Sequence, residues 1–434
     1  MKTNSLNLRQ CAVMTGIALS GVGAIGTVTP VSALTFAFNP ADGTSQAARD
    51  GFAAAGKLWT DRLSDNVTIN IDINFAPLNP GILGQASSTR EFFSYSQVYT
   101  AMSGEGQSAD DTVAFASLTN GSAPNSTFNM LLNRTSDSPN GSNSAVPYLD
   151  NNRSFNNTYI DMSSANAKAL GLIPGQPSGI MTNTLMAVPN GRASIPSYVT
   201  AAGSPTIINS PSNINPQTAI TANLGTSDAS ISFSTGFAFD FNPDDGITKD
   251  HFDFVGIAAH EIGHALGFTS GVDILDFFSQ PANGGPDSED EFAYVNTLDL
   301  FRYSAESRDE GAIDWTADNR AKYFSLDRGV TNIALFSNGV KFGDGRQASH
   351  WKDNSGLGIM DPTAGANERL TISENDLRAL DVIGWNRVSN NVTAVPEPAD
   401  FIGTLCCAAF TAKLVLKRRK KLFQSTDKAT DKVA

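Results

Sequence analysis

The chain has 434 residues, is 41% hydrophobic and holds 26 phenylalanines. This composition excludes a disordered or collagen-like protein and allows one large domain or two smaller ones. The formal net charge is −13, and because residues 1–33 carry +2 and residues 399–434 carry +5, the segment between them carries −20. So acidic a surface disfavours nucleic acid and anionic lipid as partners.

The first 33 residues have the features of a secretory signal peptide. Lys2 and Arg9 precede an apolar run, and Val-Ser-Ala at residues 31–33 offers the small side chains that a signal peptidase needs for cleavage after Ala33. The body of the chain can form no disulfide, because all three cysteines lie in the terminal segments: Cys11, Cys406 and Cys407.

Three segments of the first half show regular patterns. Residues 44–63 have the apolar spacing of an amphipathic helix, and residues 66–78 alternate isoleucine with polar residues, as in a strand with one buried face. Residues 105–230 are rich in Asn, Ser, Thr, Pro and Gly, which predicts long loops with short elements, including a helix near residues 164–173. Residues 230–243 predict a second strong strand.

The second half begins with a helical pattern over residues 251–268, and Gly267 stands where a helix can end in a positive-φ conformation. Residues 271–349 form a mixed segment with acidic loops and a strand near residues 331–339. A last helix is expected over residues 373–383, with Ser373 as its N-cap. Because the strands come mainly from the first half and the helices are segregated from them, the predicted class is α+β.

The C-terminal segment, residues 395–422, has the features of a protein-targeting signal. The turn Pro396-Glu397-Pro398 precedes a short apolar run and a basic cluster, and a polar tail follows over residues 423–434. This arrangement resembles the PEP-CTERM sorting signal. The resemblance implies export to the cell envelope or the medium of a Gram-negative-type bacterium, processing by an exosortase, and transient membrane association through this segment.

The most informative stretch is the helix predicted around residue 260. His260 and His264 are four residues apart, so both imidazoles project from one helix face and can bind the same metal ion. Glu261 beside them can act as general base on a metal-activated water. His-Glu-x-x-His on a helix is the motif of zinc metalloproteases. The competing interpretation is a chance pair of surface histidines.

A catalytic zinc ion usually has three protein ligands and a water. With Gly267, the motif resembles that of the metzincin proteases, in which the third histidine stands where this chain has Ser270. Serine is a poor zinc ligand, so the third ligand must come from Asp273, from Asp276, or from a distant histidine.

The distant candidate is His350, which is followed ten residues later by Met360 in Gly-Ile-Met-Asp-Pro. A Ser-His-Trp segment followed by a methionine turn, far from the helix, resembles the leishmanolysin-like branch of the metzincins. The resemblance implies that His350 is the third ligand and that Met360 lies in the methionine turn beneath the metal.

The resemblance also implies a metalloprotease domain over residues 34–394, with the zinc helix at about residues 252–267 and the methionine turn within residues 348–363. In such a fold an N-terminal subdomain combines a twisted mixed sheet with helices, including the zinc helix. The C-terminal subdomain is mostly irregular and ends in a helix. The implied cofactor is Zn²⁺ and the implied substrate is a protein or peptide.

The sequence therefore predicts a secreted or envelope-sorted zinc endopeptidase. The main alternative is a non-catalytic envelope or matrix protein with a structural metal site, and another is a zinc hydrolase that cleaves a non-peptide amide. His251, which precedes the helix, is expected to be structural. Asp244 and Asp245 could bind calcium, but an ordinary acidic turn is the favoured interpretation.

Overall fold

The computed structural model describes residues 33–175, 195–203 and 227–388. The predicted signal peptide and the sorting segment lie outside these residues, except for Ala33. The elements described here belong to one compact unit, Met1–Arg387. Within the described part of the chain, no helix is long and apolar enough to cross a bilayer.

The strands are numbered in chain order: β1 Thr35–Pro40, β2 Thr68–Ala76, β3 Ile82–Ser88, β4 Arg90–Ser94, β5 Met130–Leu132, β6 Tyr148–Asp150, β7 Tyr159–Ser163, β8 Ser197–Ala201, β9 Ala229–Ser234, β10 Phe239–Asp240, β11 Phe252–Asp253, β12 Arg302–Tyr303, β13 Ile313–Asp314, β14 Lys322–Phe324, β15 Ala334–Phe336 and β16 Thr363–Ala364. The helices of the described residues are α1 Gln46–Thr60, α2 Tyr95–Glu105, α3 Ala109–Ser117, α4 Ser164–Ala169, α5 Phe254–Ala265, α6 Val272–Phe278, α7 Ala305–Asp309 and α8 Glu374–Val382.

The largest sheet has six strands in the order β1-β2-β9-β3-β8-β16. Strands β1, β2 and β9 run parallel, β3 is antiparallel to both of its neighbours, and β16 pairs parallel with β8. Smaller sheets of two or three strands surround it. This mixture of a mixed main sheet with separate helices confirms the α+β class.

The core lies between the main sheet and helices α1 and α5. Along β2 the isoleucines are buried and the polar residues between them are half-buried, as the alternation predicted. Phe254 at the start of α5 packs among the rings of Phe52, Phe233 and Phe241, with centroids 4.4 to 5.1 Å away. Helix α1 is tied to α5 by Trp59, whose indole N–H donates to the carbonyl of Ala259 at 2.9 Å.

The predicted elements exist, with shifts at their ends. The strand expected over residues 230–243 stops at Ser234, because the chain turns at residues 235–237 before the short β10 begins. The glycine at position 236 sits in this turn, where the backbone is freest. Strands β3 and β8 and helix α2 were not predicted, because their segments carry no clear periodic pattern.

Candidate metal centre

Helix α5 owes its position to its N-cap and its apolar faces. The Asp253 side chain caps the first turn by accepting from the Gly256 N–H at 2.9 Å, and it also accepts from the N–H of Leu370 at 3.0 Å. Every residue of the helix is buried. The helix ends at Ala265 with Leu266 as its C-cap, and Gly267 follows with the positive φ, +115°, that was predicted for the helix terminus.

Three imidazoles meet at the end of this helix. His264 Nε2 lies 3.0 Å from His260 Nε2 and 3.1 Å from His350 Nε2, and the third pair of Nε2 atoms is 3.3 Å apart. None of the three residues is more than 1% exposed. Among the described residues this is the one group of His, Cys, Asp or Glu side chains whose ligand atoms converge closely enough to hold a metal ion.

Each imidazole is oriented by a backbone carbonyl on its outer side. The Nδ1–H of His260 donates to Ile359 O at 2.7 Å, and that of His264 donates to Phe268 O at 2.7 Å. The Nδ1–H of His350 donates more weakly, to Gln347 O at 3.3 Å. This fixes the tautomer and points each Nε2 lone pair towards the centre. Burial lowers the pKa of all three rings, to about 4 for His260, so they are neutral as ligands must be.

The arrangement fits a tetrahedral metal ion. Bonds of about 2.0–2.1 Å from zinc to imidazole nitrogen at tetrahedral angles place neighbouring nitrogens roughly 3.3–3.4 Å apart. The observed separations of 3.0, 3.1 and 3.3 Å are close to this value. Three imidazoles on one side leave the fourth position for a water, a donor set that suits zinc and also copper, iron or nickel.

Glu261 lies beside the histidines and is fully buried. Neither of its carboxylate oxygens accepts a hydrogen bond of ordinary geometry from the described residues. A Cβ atom added to Gly84 of β3 would lie 3.0 Å from Glu261 Oε1, so the carboxylate fits against bare backbone. Burial raises the pKa of Glu261 well above its usual value, and the backbone N–H of Val199 opposes this shift.

The loop that carries His350 is anchored by Asp273. This carboxylate accepts from Ala348 N at 2.6 Å, from Ser349 N at 3.1 Å and from Ser349 Oγ at 2.6 Å. Asp276 instead accepts from the backbone N–H groups of Lys341 and Phe342, both at 2.8 Å. Neither aspartate belongs to the converging group, so the structure argues against both as the third ligand.

Ser270 connects the helix half of the site to the loop half. Its hydroxyl donates to Asp299 Oδ1 at 2.6 Å, and its N–H donates to Ser349 Oγ at 2.9 Å. Asp299 also accepts from Gly271 N at 2.9 Å and from the indole N–H of Trp315 at 3.0 Å. At the position where the shorter form of the metal-binding motif has its third histidine, this chain therefore has Ser270, which holds the distant loop through hydrogen bonds.

Met360 lies against helix α5 at Gly263. A Cβ atom added to Gly263 would lie 2.5 Å from Met360 Sδ, so the turn packs on a helix position that has no side chain. Asp376, at the start of α8, fixes the turn by accepting from Ile359 N at 2.9 Å and from Trp351 Nε1 at 2.8 Å. The carbonyl of Ile359 is the partner of His260, so Asp376 positions that imidazole indirectly.

The other predicted candidates lie elsewhere. His251 Nδ1 is 2.9 Å from the carbonyl of Lys249 and does not belong to the histidine group. Asp244 is 87% exposed at its side chain and pairs with Arg369 in a surface turn. Sequence reasoning missed the anchoring carboxylates Asp299 and Asp376, because an aspartate in a helix cap or a loop has no pattern that reveals a distant partner.

Comparison of the chain with protein-family models, with curated proteins and with solved structures finds no match. The function of the site must therefore be argued from its own geometry.

Proposed function

We propose that this protein is a zinc-dependent endopeptidase. The observation that carries the proposal is the meeting of three inward-facing Nε2 atoms with a buried carboxylate, Glu261, that has no ordinary hydrogen-bond partner among the described residues. A purely structural metal site does not need that carboxylate. A buried carboxylate with so few hydrogen-bond donors is costly, and such costs are typical of catalytic sites.

His260, His264 and His350 would hold the ion. A zinc ion bound there supplies Lewis-acid activation of a water and of the scissile carbonyl. Glu261 accepts the proton of the attacking water and returns it to the leaving amine nitrogen.

The finer assignments are part of the same proposal. The zinc helix, the Ser270 substitution, the distant His350 and the turn at Met360 support a metzincin of the leishmanolysin-like type, with two subdomains around the site. Export through the N-terminal signal, sorting by an exosortase-type machinery and transient membrane association through residues 395–422 rest on the sequence patterns alone.

The competing function is a non-catalytic envelope or matrix protein with a structural metal. The experiment uses the full chain loaded with zinc, with casein as substrate and metal content measured by mass spectrometry. Glu261→Gln should abolish hydrolysis while the bound zinc remains, because the variant keeps all three imidazoles. Hydrolysis that survives in Glu261→Gln would refute the role of Glu261 as general base. A wild-type chain that binds zinc without cleaving any of several unfolded substrates would favour the structural alternative.

The ligand set is tested separately by zinc titration. His350→Ala should lose most of the zinc, since it removes a ligand. Asp273→Ala should weaken zinc binding by roughly 10- to 100-fold, because it releases the loop that presents His350. Asp276→Ala is the matched control and should have a smaller effect. A larger loss in Asp273→Ala than in His350→Ala would show that the ligand assignment is wrong.

A further inference from the structure

The candidate site is closed in the described structure. His260, Glu261 and His350 are fully buried and His264 is 1% exposed. An endopeptidase must bring a polypeptide to Glu261, so part of the described cover has to move before any reaction. The residues next to the Glu261 carboxylate identify that part.

Strand β8 is the cover nearest to Glu261. It pairs antiparallel with β3, and Val199 of β8 stands opposite Gly84, the glycine against which the carboxylate lies. The backbone N–H of Val199 faces the Glu261 carboxylate. Helix α5 packs against both strands. Strand β8 therefore separates the catalytic carboxylate from the face of the sheet that is turned away from α5.

The pairing of β8 is less regular than that of its neighbour. Strand β9 pairs with β3 over five consecutive positions without interruption. Strand β8 pairs over four positions, and the register shifts between Ile82 and Gly84.

The other edge of β8 pairs with β16, and side chains of the loop that presents His350 hold it as well. The Gln347 side chain accepts from Tyr198 N at 3.0 Å and donates to Pro196 O at 2.9 Å. The backbone carbonyl of Gln347 is the partner of His350 Nδ1 at 3.3 Å. One residue therefore touches both the covering strand and a metal ligand, which couples the position of β8 to the site.

We propose that β8 occupies the edge of β3 at which an extended substrate polypeptide pairs, so that the chain holds its own site closed until β8 is displaced. An extended segment adds to a sheet edge through backbone hydrogen bonds, whatever its sequence. β8 already makes such a pairing directly over the general base. The inference rests on the proposed peptidase function and adds to it a built-in competitor for the substrate.

A reversible disulfide tests the proposal. The N–H of Tyr198 donates to Gln347 and not to β3, so Gln85 and Tyr198 form a non-hydrogen-bonded pair, in which facing side chains lie closest. Gly84 faces α5, so this pair lies on the opposite face of the sheet. Gln85→Cys with Tyr198→Cys, in a chain whose three native cysteines are serine, locks β8 to β3 when oxidised.

The matched control uses the same position of β3 on its other side. Gln85 stands opposite Ser232 of β9, so Gln85→Cys with Ser232→Cys locks β3 to a strand that does not cover Glu261. Thr200→Val tests the opposite change, a strand β8 that is held less firmly. It removes the hydroxyl that accepts from Arg346 Nη1 at 3.1 Å and lies 3.3 Å from the carbonyl of Pro362, which should loosen β8.

Two readouts are measured on the zinc-loaded chain: release of zinc to a chromogenic chelator and hydrolysis of casein. Oxidation of the β3–β8 lock should slow both by at least about tenfold, because exchange through a local opening follows the population of the open form. Reduction by a phosphine should restore both. In the control lock, neither oxidation nor reduction should change zinc release or casein hydrolysis. In Thr200→Val both rates should be about threefold to tenfold higher than in wild type.

The inference is overturned if the oxidised β3–β8 lock releases zinc and cleaves casein as fast as its reduced form, since β8 then stays in place during turnover. It is also overturned if Thr200→Val loses activity while its fold, judged by circular dichroism, is intact. A lock that slows zinc release in a chain where no form cleaves casein would keep β8 as the cover and refute the peptidase function.

Discussion

The two halves of the candidate metal centre are held by different forces. The helix half is α5, which lies in an apolar environment formed by rings around Phe254 and by the indole of Trp59. The loop half is residues 347–360, whose backbone donates to the buried carboxylates Asp273 and Asp376. The comparison shows that one site can depend on packing on one side and on a few hydrogen-bond acceptors on the other.

The two kinds of support fail differently. Apolar packing is spread over many contacts and tolerates changes that conserve volume. A buried carboxylate that accepts hydrogen bonds from several N–H groups is more sensitive, because one substitution that removes it leaves all of these donors unsatisfied. The loop half should therefore be the more fragile part of the site, and three experiments examine this difference.

The largest effect is expected for Asp376→Ala. The variant leaves donors of Trp351, Ile359, Met360 and Ser373 without their acceptor. The free energy of unfolding, measured with urea on the metal-free chain, should fall by about 3–5 kcal/mol.

The control for that experiment is Glu374→Gln, two residues earlier on the same helix. Glu374 is 63% exposed at its side chain and pairs with Arg387 at the surface, so its loss should cost at most about 0.5 kcal/mol. Equal effects of the two variants would show that the loop half does not depend on its buried acceptor.

An intermediate effect is expected for Gly263→Ala, which examines the contact between the two halves. The new methyl group would lie 2.5 Å from Met360 Sδ and 3.4 Å from Trp59. Overpacking of this kind should lower the free energy of unfolding by about 1–3 kcal/mol.

Gly104→Ala in α2 is the matched control, because a methyl group there meets nothing within 4 Å. The usual helix preference should then raise the free energy of unfolding by roughly 0.5–1 kcal/mol. A gain in both variants would mean that Met360 moves aside at little cost.

A third difference between the two halves is the pH response of the metal-free protein. Burial raises the pKa of Asp273 from 3.8 to about 7, so its contribution to stability is present below 3.8 and is lost as the pH rises through 7. Burial lowers the pKa of His260 from 6.5 to about 4, so its contribution is present above 6.5 and is lost as the pH falls through 4.

Asp273→Asn removes the first of these two terms. Relative to wild type, the variant should therefore gain stability as the pH rises between about 5 and 8. The measurement is a series of urea titrations in the presence of a chelator. A stability difference that stays constant over this range would contradict the raised pKa of Asp273.

The sequence was sufficient to predict the helix half. The spacing of His260 and His264, the apolar residues around them and the stop at Gly267 are local patterns, and local patterns survive in the fold. The α+β class and the helices near residues 46–60 and 374–382 could be predicted for the same reason.

The loop half could be predicted only in outline. His350 and Met360 were predicted through a resemblance, whereas the acceptors that hold them, Asp273 and Asp376, lie 75 and 16 residues from the groups they bind. Hydrogen bonds between such distant residues leave no periodic signal in the sequence. The same reason explains why β8, whose pairing with β3 spans over a hundred residues, was not predicted.

The long separations within the site also set an order on its formation during synthesis. Trp59 can form its hydrogen bond only after Ala259, 200 residues downstream, has been synthesised. His264 can meet His350 only after a further 86 residues. The last anchor, Asp376, leaves the ribosome only after every ligand has done so. The candidate metal centre, with both of its halves anchored, can therefore form only after residue 376 has been added to the chain.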